Sequence, residues 1–271
     1  MTIGLAPTFD VGPFDVAWHG IMTAIGLPIG TGVASWLARR RGLSPDPVVL
    51  MTLTVAVAGI VGARLFYLAQ ADPAGLLTPW GGELEGFAFY GAVILGLPVA
   101  AVTLRVTRQP VLAYLDLLAV GFLAAMTFGR VGDLINGEHY GPPTSLPWGV
   151  TYTNPDAHVP AVGVAYHSGA LYEIVLVVVL LAGALLLARR TPPPGTFLWG
   201  VLGAYALGRF AIFFGVRDVD VVALGLRQAQ WTSLGLIAAA VFGALLTAGR
   251  LRSAGSVAGP DPSGGRSRSG G

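Results

Sequence analysis

Seven long apolar stretches, each bounded by charge, proline or glycine, constrain this 271-residue chain more than any other feature. A helix needs about 20 apolar residues to cross a bilayer, where it satisfies its backbone polar groups internally. The stretches lie near Ala17–Ala38, Val48–Ala69, Phe87–Leu104, Val111–Phe128, Leu171–Ala188, Thr196–Gly215 and Ala229–Ala248. Charged residues make up 11% of the chain, against about 25% in ordinary soluble domains. The reading is an all-α integral membrane protein, with seven transmembrane helices in one domain spanning residues 1–252.

The arginines orient the spans. Arg39, Arg40 and Arg41 follow span 1, Arg105 and Arg108 separate spans 3 and 4, Arg189 and Arg190 follow span 5, and Arg250 and Arg252 follow span 7. With seven crossings all these clusters share one side, which the positive-inside rule makes cytoplasmic. The N-terminus is then outside and the C-terminus cytoplasmic. Segments 72–85, 129–170 and 216–227 face outward. The longest is too long for a plain connection. It contains a strand-like run, Trp148–Tyr152, and is expected to form a small cap on the periplasmic side between spans 4 and 5. Ser253–Gly271, rich in Gly, Ser, Pro and Arg, reads as a disordered cytoplasmic tail. Met1–Val16 has acidic residues and no basic region, so it does not read as a cleaved signal peptide.

Several function classes recede on composition. The chain has no cysteine, hence no disulfide, thiolate ligand or cysteine nucleophile of its own. Its basic residues sit at span ends rather than in a patch, so nucleic acid is not an expected partner. An inverted-repeat transporter is disfavoured, because no internal repeat is evident and no polar residues line the cytoplasmic halves of the spans.

Polar chemistry instead gathers at the outer boundary. Between Gly129 and Gly141 the chain carries Arg130, Asp133, Asn136, Glu138 and His139. Ionisable groups beside a span are costly and mark function. Arg64 lies late in span 2 and Arg209 late in span 6. His19 and Tyr90 begin spans 1 and 3, Tyr172 and Glu173 open span 5, and Gln230, Thr232 and Ser233 open span 7. At a rise of about 1.5 Å per residue, all fall within roughly 10 Å of the outer boundary. A shared outward-opening polar cavity follows. Three arginines there suit an anionic ligand, since guanidinium binds phosphate through two parallel bonds, and phospholipid headgroups lie at that depth. The competing reading is that the arginines snorkel or pair with Asp133, Glu138 and Glu173.

Gly129-Arg130-x-Gly132-Asp133-x-x-Asn136-Gly137-Glu138-x-x-Gly141, with Pro147-Trp148-Gly149 after it, resembles the signature of the bacterial prolipoprotein diacylglyceryl transferases. Further matches run almost the length of the chain: Gly12-Pro13, Trp18-His19-Gly20, Gly62-Ala63-Arg64, His167 with Leu171-Tyr172-Glu173, Gly208-Arg209-Phe210, and Gln230-x-x-Ser233. The resemblance implies seven spans in a bacterial cytoplasmic membrane, with an active site toward the outer leaflet. It implies transfer of the diacylglyceryl group of phosphatidylglycerol to the lipobox cysteine thiol of a prolipoprotein, with release of glycerol phosphate. No metal or cofactor is implied. Arg130 and Arg209 match the family's essential arginines and are assigned to the headgroup phosphate, whose departure needs charge stabilisation. Arg64, Asp133, Asn136, Glu138, Gly141, Tyr172, Glu173 and Gln230 are the expected substrate-binding positions.

The chain departs from the family pattern at polar positions. It has Asp133 where the family usually has Asn, His19 for Tyr, Tyr90 for the candidate catalytic His, and Phe213 for Glu, while Arg217 lies one place beyond the expected second arginine. Two readings follow. In one, His19 or Tyr90 serves as the catalytic base of an active transferase, or none is needed because a thiol near neutral pH is already partly thiolate. In the other, a paralogue keeps the phospholipid pocket without this transfer, or uses another acceptor.

Overall fold

The structure is a computed structural model and describes residues 1–81, 89–216 and 221–257. Seven helices form its body: α1 (Trp18–Arg40), α2 (Asp46–Ala71), α3 (Phe89–Val106), α4 (Val111–Asn136), α5 (Gly169–Leu187), α6 (Thr196–Gly215) and α7 (Gln228–Val257). All but α3 are long and apolar enough to cross a membrane. The apolar part of α3 that meets the same composition is the shorter segment Ile94–Val106. Large hydrophobic side chains along the helices face outward rather than into a core, among them Val57, Val179, Phe242 and Leu245. In water such surface would be prohibitive; in lipid it needs no cover. The chain is a helical, multi-pass membrane protein.

The all-α expectation is corrected by eight short strands among the described residues. They are β1 (Thr2–Ile3), β2 (Thr8–Val11), β3 (Phe14–Ala17), β4 (Tyr140–Pro143), β5 (Val150–Tyr152), β6 (Ala165–Ser168), β7 (Val221–Ala223) and β8 (Leu226–Arg227). Segments that leave the helices still have backbone donors and acceptors to satisfy, and pairing provides the partners. β2–β3 and β7–β8 are hairpins, while β1, β5, β6 and β4 form one sheet in that order. The strand-like run near Trp148 is therefore β5, and the segment between α4 and α5 does fold as a cap. The first residues join it, because β1 runs parallel to β5.

Two boundaries differ from expectation. α4 continues past Phe128 to Asn136, so Arg130, Asp133 and Asn136 are helical rather than in a loop. Its polar final turns persist because each charged group there meets a partner from another element. The turn comes at Gly137, whose φ of 81° is left-handed and suits a helix end. At the C-terminus, α7 runs through Ser253, where the tail was expected to begin, to Val257. The rest of that expected tail lies outside the described residues, as do Arg217 and the side chain of Tyr90.

α1 packs chiefly on α4, α2 on α3, and α6 on α7. A cluster of Ala34, Leu37, Met51, Leu117, Val120 and Phe197 fills the end of the bundle opposite the strands. There the N-cap of α6 is Gly195, which has no side chain to cap the helix. The expectation that no polar residue lines the cytoplasmic halves of the spans is corrected here, because fully buried Asp116 of α4 supplies the cap across the interface: its carboxylate accepts from Gly195 N at 2.9 Å and from Leu198 N at 2.8 Å. Arg41 lies 3.7 Å from the same carboxylate. This contact matters for the site, because α6 carries Arg209 at its other end. Asp116→Ala removes a cap and leaves Arg41 buried without its carboxylate, so it should cost about 3 kcal/mol, seen as a lower melting temperature in detergent. A midpoint within a degree of wild type would rule out the cap as a structural pin.

Candidate functional site

At the strand-bearing end, two carboxylates tie four elements together. Glu173, just past the first turn of α5, is 2% exposed. Its Oε2 accepts from Arg130 Nη2 of α4 at 2.8 Å and from Arg209 Nη1 of α6 at 3.0 Å. Tyr205, one turn before Arg209, donates to Oε2 at 3.1 Å and accepts from Arg209 Nη1 at 2.9 Å. One buried carboxylate thus holds two guanidinium groups that would otherwise repel each other in a poorly screening environment. The second carboxylate, Asp133, is also 2% exposed. It accepts from Arg130 Nη1 at 2.6 Å, bonds His19 Nδ1 of α1 at 2.5 Å, and lies 3.3 Å from His139 Nε2.

The chain's geometry places these groups. Arg130 and Asp133 are three apart on α4 and so share a face. Ser168 Oγ accepts from Leu171 N and starts α5, which presents Glu173 to α4. Beyond Gly137 the chain folds back, with Glu138 N bonded to Asp133 O. Asn136 Nδ2 then donates to Glu138 Oε1 at 3.0 Å. His158 of the cap is 3.8 Å from the same oxygen. Tyr152 of β5 donates to Leu134 O at 2.7 Å, and burial pushes its phenol up to about 12, so it remains a neutral donor. The cap is therefore anchored directly to the end of the helix that carries Arg130.

The expected site residues divide into groups. Arg130, Arg209, Asp133, Glu173 and His19 form one bonded network, with Asn136 and Glu138 beside it. Asp133 and Glu173 spend their oxygens on this network rather than on an open surface. Arg64 is buried in another contact, donating from Nε to Pro79 O at 2.9 Å, with its guanidinium 5.9 Å from the Tyr67 ring centroid. Tyr172 bonds Trp148 Nε1 at 2.7 Å and His167 Nδ1 at 2.9 Å. Gln230 is fully buried and accepts from Arg227 N at 3.0 Å. Gly141 packs against the end of α6: a Cβ there would stand 1.8 Å from Val216 O, so a side chain is excluded. Tyr205 was missed by the sequence reading, and His139 was noted in the polar stretch but given no role. Tyr205 could have been found from its spacing of four before Arg209.

Arg209 is only partly enclosed, with 25% of its side chain exposed. Its hydrogen bonds among the described residues all use Nη1. The Nε and Nη2 edge is thus left for a second, two-point contact, the geometry that suits phosphate. Beside it, Trp148, Leu171, Tyr172, Val175, Leu176, Gly208 and Ile212 line an apolar groove of about 560 Å³ between α5 and α6. Ligand atoms of His19, Asp133 and Glu138 lie within 4.8 Å of one another. A cation among them would face the Arg130 guanidinium and compete with the His19 bond, so the group reads as an internal ion-pair cluster.

A multi-pass membrane protein with a carboxylate-bridged arginine pair at one end is the class defined so far. The family model described as prolipoprotein diacylglyceryl transferase matches residues 7–246. A protein of Thermosynechococcus vestitus named phosphatidylglycerol–prolipoprotein diacylglyceryl transferase is 33% identical over 246 residues, covering 87% of this chain and 90% of its own length. Relatives of the same name from Nitratidesulfovibrio vulgaris and Clostridioides difficile are 33% and 28% identical, covering 84% and 83% of this chain and 86% and 88% of their own. The chain belongs to the prolipoprotein diacylglyceryl transferase family.

Proposed function

We propose that this protein is a membrane transferase that moves the diacylglyceryl group of phosphatidylglycerol onto a prolipoprotein. The acceptor is the lipobox cysteine thiol, and glycerol phosphate leaves. The observation that carries the phosphate assignment is the Nε and Nη2 edge of Arg209, unbonded among the described residues, on a guanidinium fixed by Glu173 and Tyr205. In the reaction the sulfur attacks the glyceryl carbon, the carbon–oxygen bond to phosphate breaks, and the oxygen keeps the electron pair. Charge grows on that phosphate, so pre-placed guanidinium groups favour the transition state over the ground state. Arg209 meets the headgroup directly and Arg130 stands beside it. The apolar groove along α5 and α6 suits acyl chains next to a phosphate-binding edge.

In this reading residues 1–252 act as one membrane unit, with α3 as the seventh span. The strand-bearing end faces the outer leaflet and the arginine-rich end the cytoplasm, as the charge asymmetry of the sequence favours. Asn136, Glu138, Tyr172 and Gln230 shape the headgroup surroundings, and Arg64 supports the neighbouring α2–α3 pair. The test is transfer of labelled diacylglycerol from phosphatidylglycerol to a synthetic lipobox peptide by the purified protein in detergent. Label is expected on the cysteine peptide and absent from its Cys→Ser counterpart. Bound phosphatidylglycerol with no transfer to cysteine would overturn the assignment and favour a different acceptor.

A further inference from the structure

His19 is unlike the rest of the network, because half of it faces outward. Its side chain is 48% exposed, whereas that of its partner Asp133 is 3% exposed. The Nδ1 to Oδ1 distance is 2.5 Å. Asp133 also accepts from Arg130, which keeps it ionised and acceptor-only. In the neutral ring Nδ1 then carries the proton, which leaves Nε2 as the proton acceptor. No other hydrogen bond to His19 is present among the described residues. A half-exposed ring held through one nitrogen by a buried carboxylate, with the other nitrogen unbonded among the described residues, is the geometry of a base held by an orienting acid.

We propose that His19 and Asp133 form a dyad in which His19 Nε2 takes the proton of the attacking thiol, and Asp133 holds the ring. The proposal rests on the acceptor being a thiol, as proposed above. The S–H bond breaks, the proton moves to Nε2, and the sulfur electron pair forms the new bond to the glyceryl carbon. The bond from that carbon to the phosphate oxygen breaks, and the leaving glycerol phosphate takes the pair. The proton on Nε2 passes afterwards to that phosphate or to water. While His19 is charged, Asp133 faces it at hydrogen-bond distance. Arg130, Glu138 and His139 are the other ionisable groups at this corner. Asp133 is thus a positioning residue, not a ligand for substrate.

The experiment compares two lipobox peptides on the full-length protein in detergent with phosphatidylglycerol, one bearing cysteine and one bearing selenocysteine. A selenol is already ionised at neutral pH and needs no base. In His19→Gln the cysteine rate should fall about 100-fold, the usual scale of a lost general base. The selenocysteine rate should fall far less, so the selenol-to-thiol rate ratio rises at least about tenfold. Asp133→Asn, which keeps shape but not charge, should raise the same ratio in the same direction. Structural damage would lower both rates together. An unchanged ratio in both variants, with an active wild-type protein, would overturn the dyad and leave the transfer reading intact. A wild-type protein that modifies neither peptide would overturn the transfer reading and the dyad with it.

Discussion

Arg209→Ala should lower kcat/KM for diacylglyceryl transfer by at least about 10³-fold, the scale seen when a guanidinium facing a transferring phosphate is lost. The protein should still insert and purify, because its 25% exposed side chain contributes to one carboxylate that Arg130 also holds. Arg209→Lys tests the geometry separately. Lysine restores the charge but not the planar two-point edge, so about 10–100-fold of the loss should remain. Arg130→Ala should be as inactive, yet for a mixed reason. Arg130 bridges Asp133 and Glu173 at 2.6 and 2.8 Å, so its removal leaves two buried carboxylates facing each other across a cavity. The cleaner probe of phosphate binding is therefore Arg209. The measurement is initial rate against phosphatidylglycerol concentration with the cysteine peptide. Arg209→Ala retaining activity within tenfold of wild type would sink the phosphate assignment.

Those arginines were legible in the sequence because charge inside an apolar chain has few innocent explanations. Their partners were less so. The competing reading, in which the arginines pair with carboxylates, holds for Asp133 and Glu173, whereas Glu138 is bonded to Asn136 and approached by His158. Depth along a helix places residues at one end of a bundle without saying which faces meet. Arg64 illustrates the limit: it shares the expected depth but bonds Pro79 in its own neighbourhood. Conversely, His19 and Asp133 lie 114 positions apart and meet at 2.5 Å, because antiparallel α1 and α4 bring one's start to the other's end. Both positions depart from the family pattern, one from Tyr and the other from Asn, and the structure bonds the two departures to each other. At Phe213, where the family usually carries Glu, the ring lies 5.3 Å from the Arg209 guanidinium. Arg209 therefore keeps a carboxylate, Glu173, and an aromatic neighbour on its own helix.

Apart from β5, the strands escaped notice for a different reason. Two to four residues are too few to show a period of two, and in the four-stranded sheet some pairing partners are distant in sequence. β1 pairs with β5 across nearly 150 residues. What the sequence did carry was the reason for a cap at all: a long polar segment beside a span, with backbone groups to satisfy.

Glu173→Gln should be the most destabilising conservative change in the molecule, at about 3–5 kcal/mol, because it removes the charge shared by two enclosed guanidinium groups. The amide keeps the volume and can still accept from Tyr205, so the loss is electrostatic rather than a cavity. The same change opens a test that links stability to function. With the carboxylate gone, Arg130 and Arg209 lack an anion, and a phosphate group can supply one. Phosphatidylglycerol or glycerol phosphate should therefore raise the melting temperature of Glu173→Gln more than that of wild type, since a ligand stabilises according to its affinity for the folded state. Equal stabilisation of both proteins would mean that phosphate does not reach the arginine pair. A variant as stable as wild type without ligand would mean that Glu173 is not what holds the two arginines together. Glu173 then has two opposed effects: it orders the arginines for the phosphate, and it competes with the phosphate for them. The free edge of Arg209 resolves the conflict, because the carboxylate holds one nitrogen and leaves the rest of the guanidinium to the substrate.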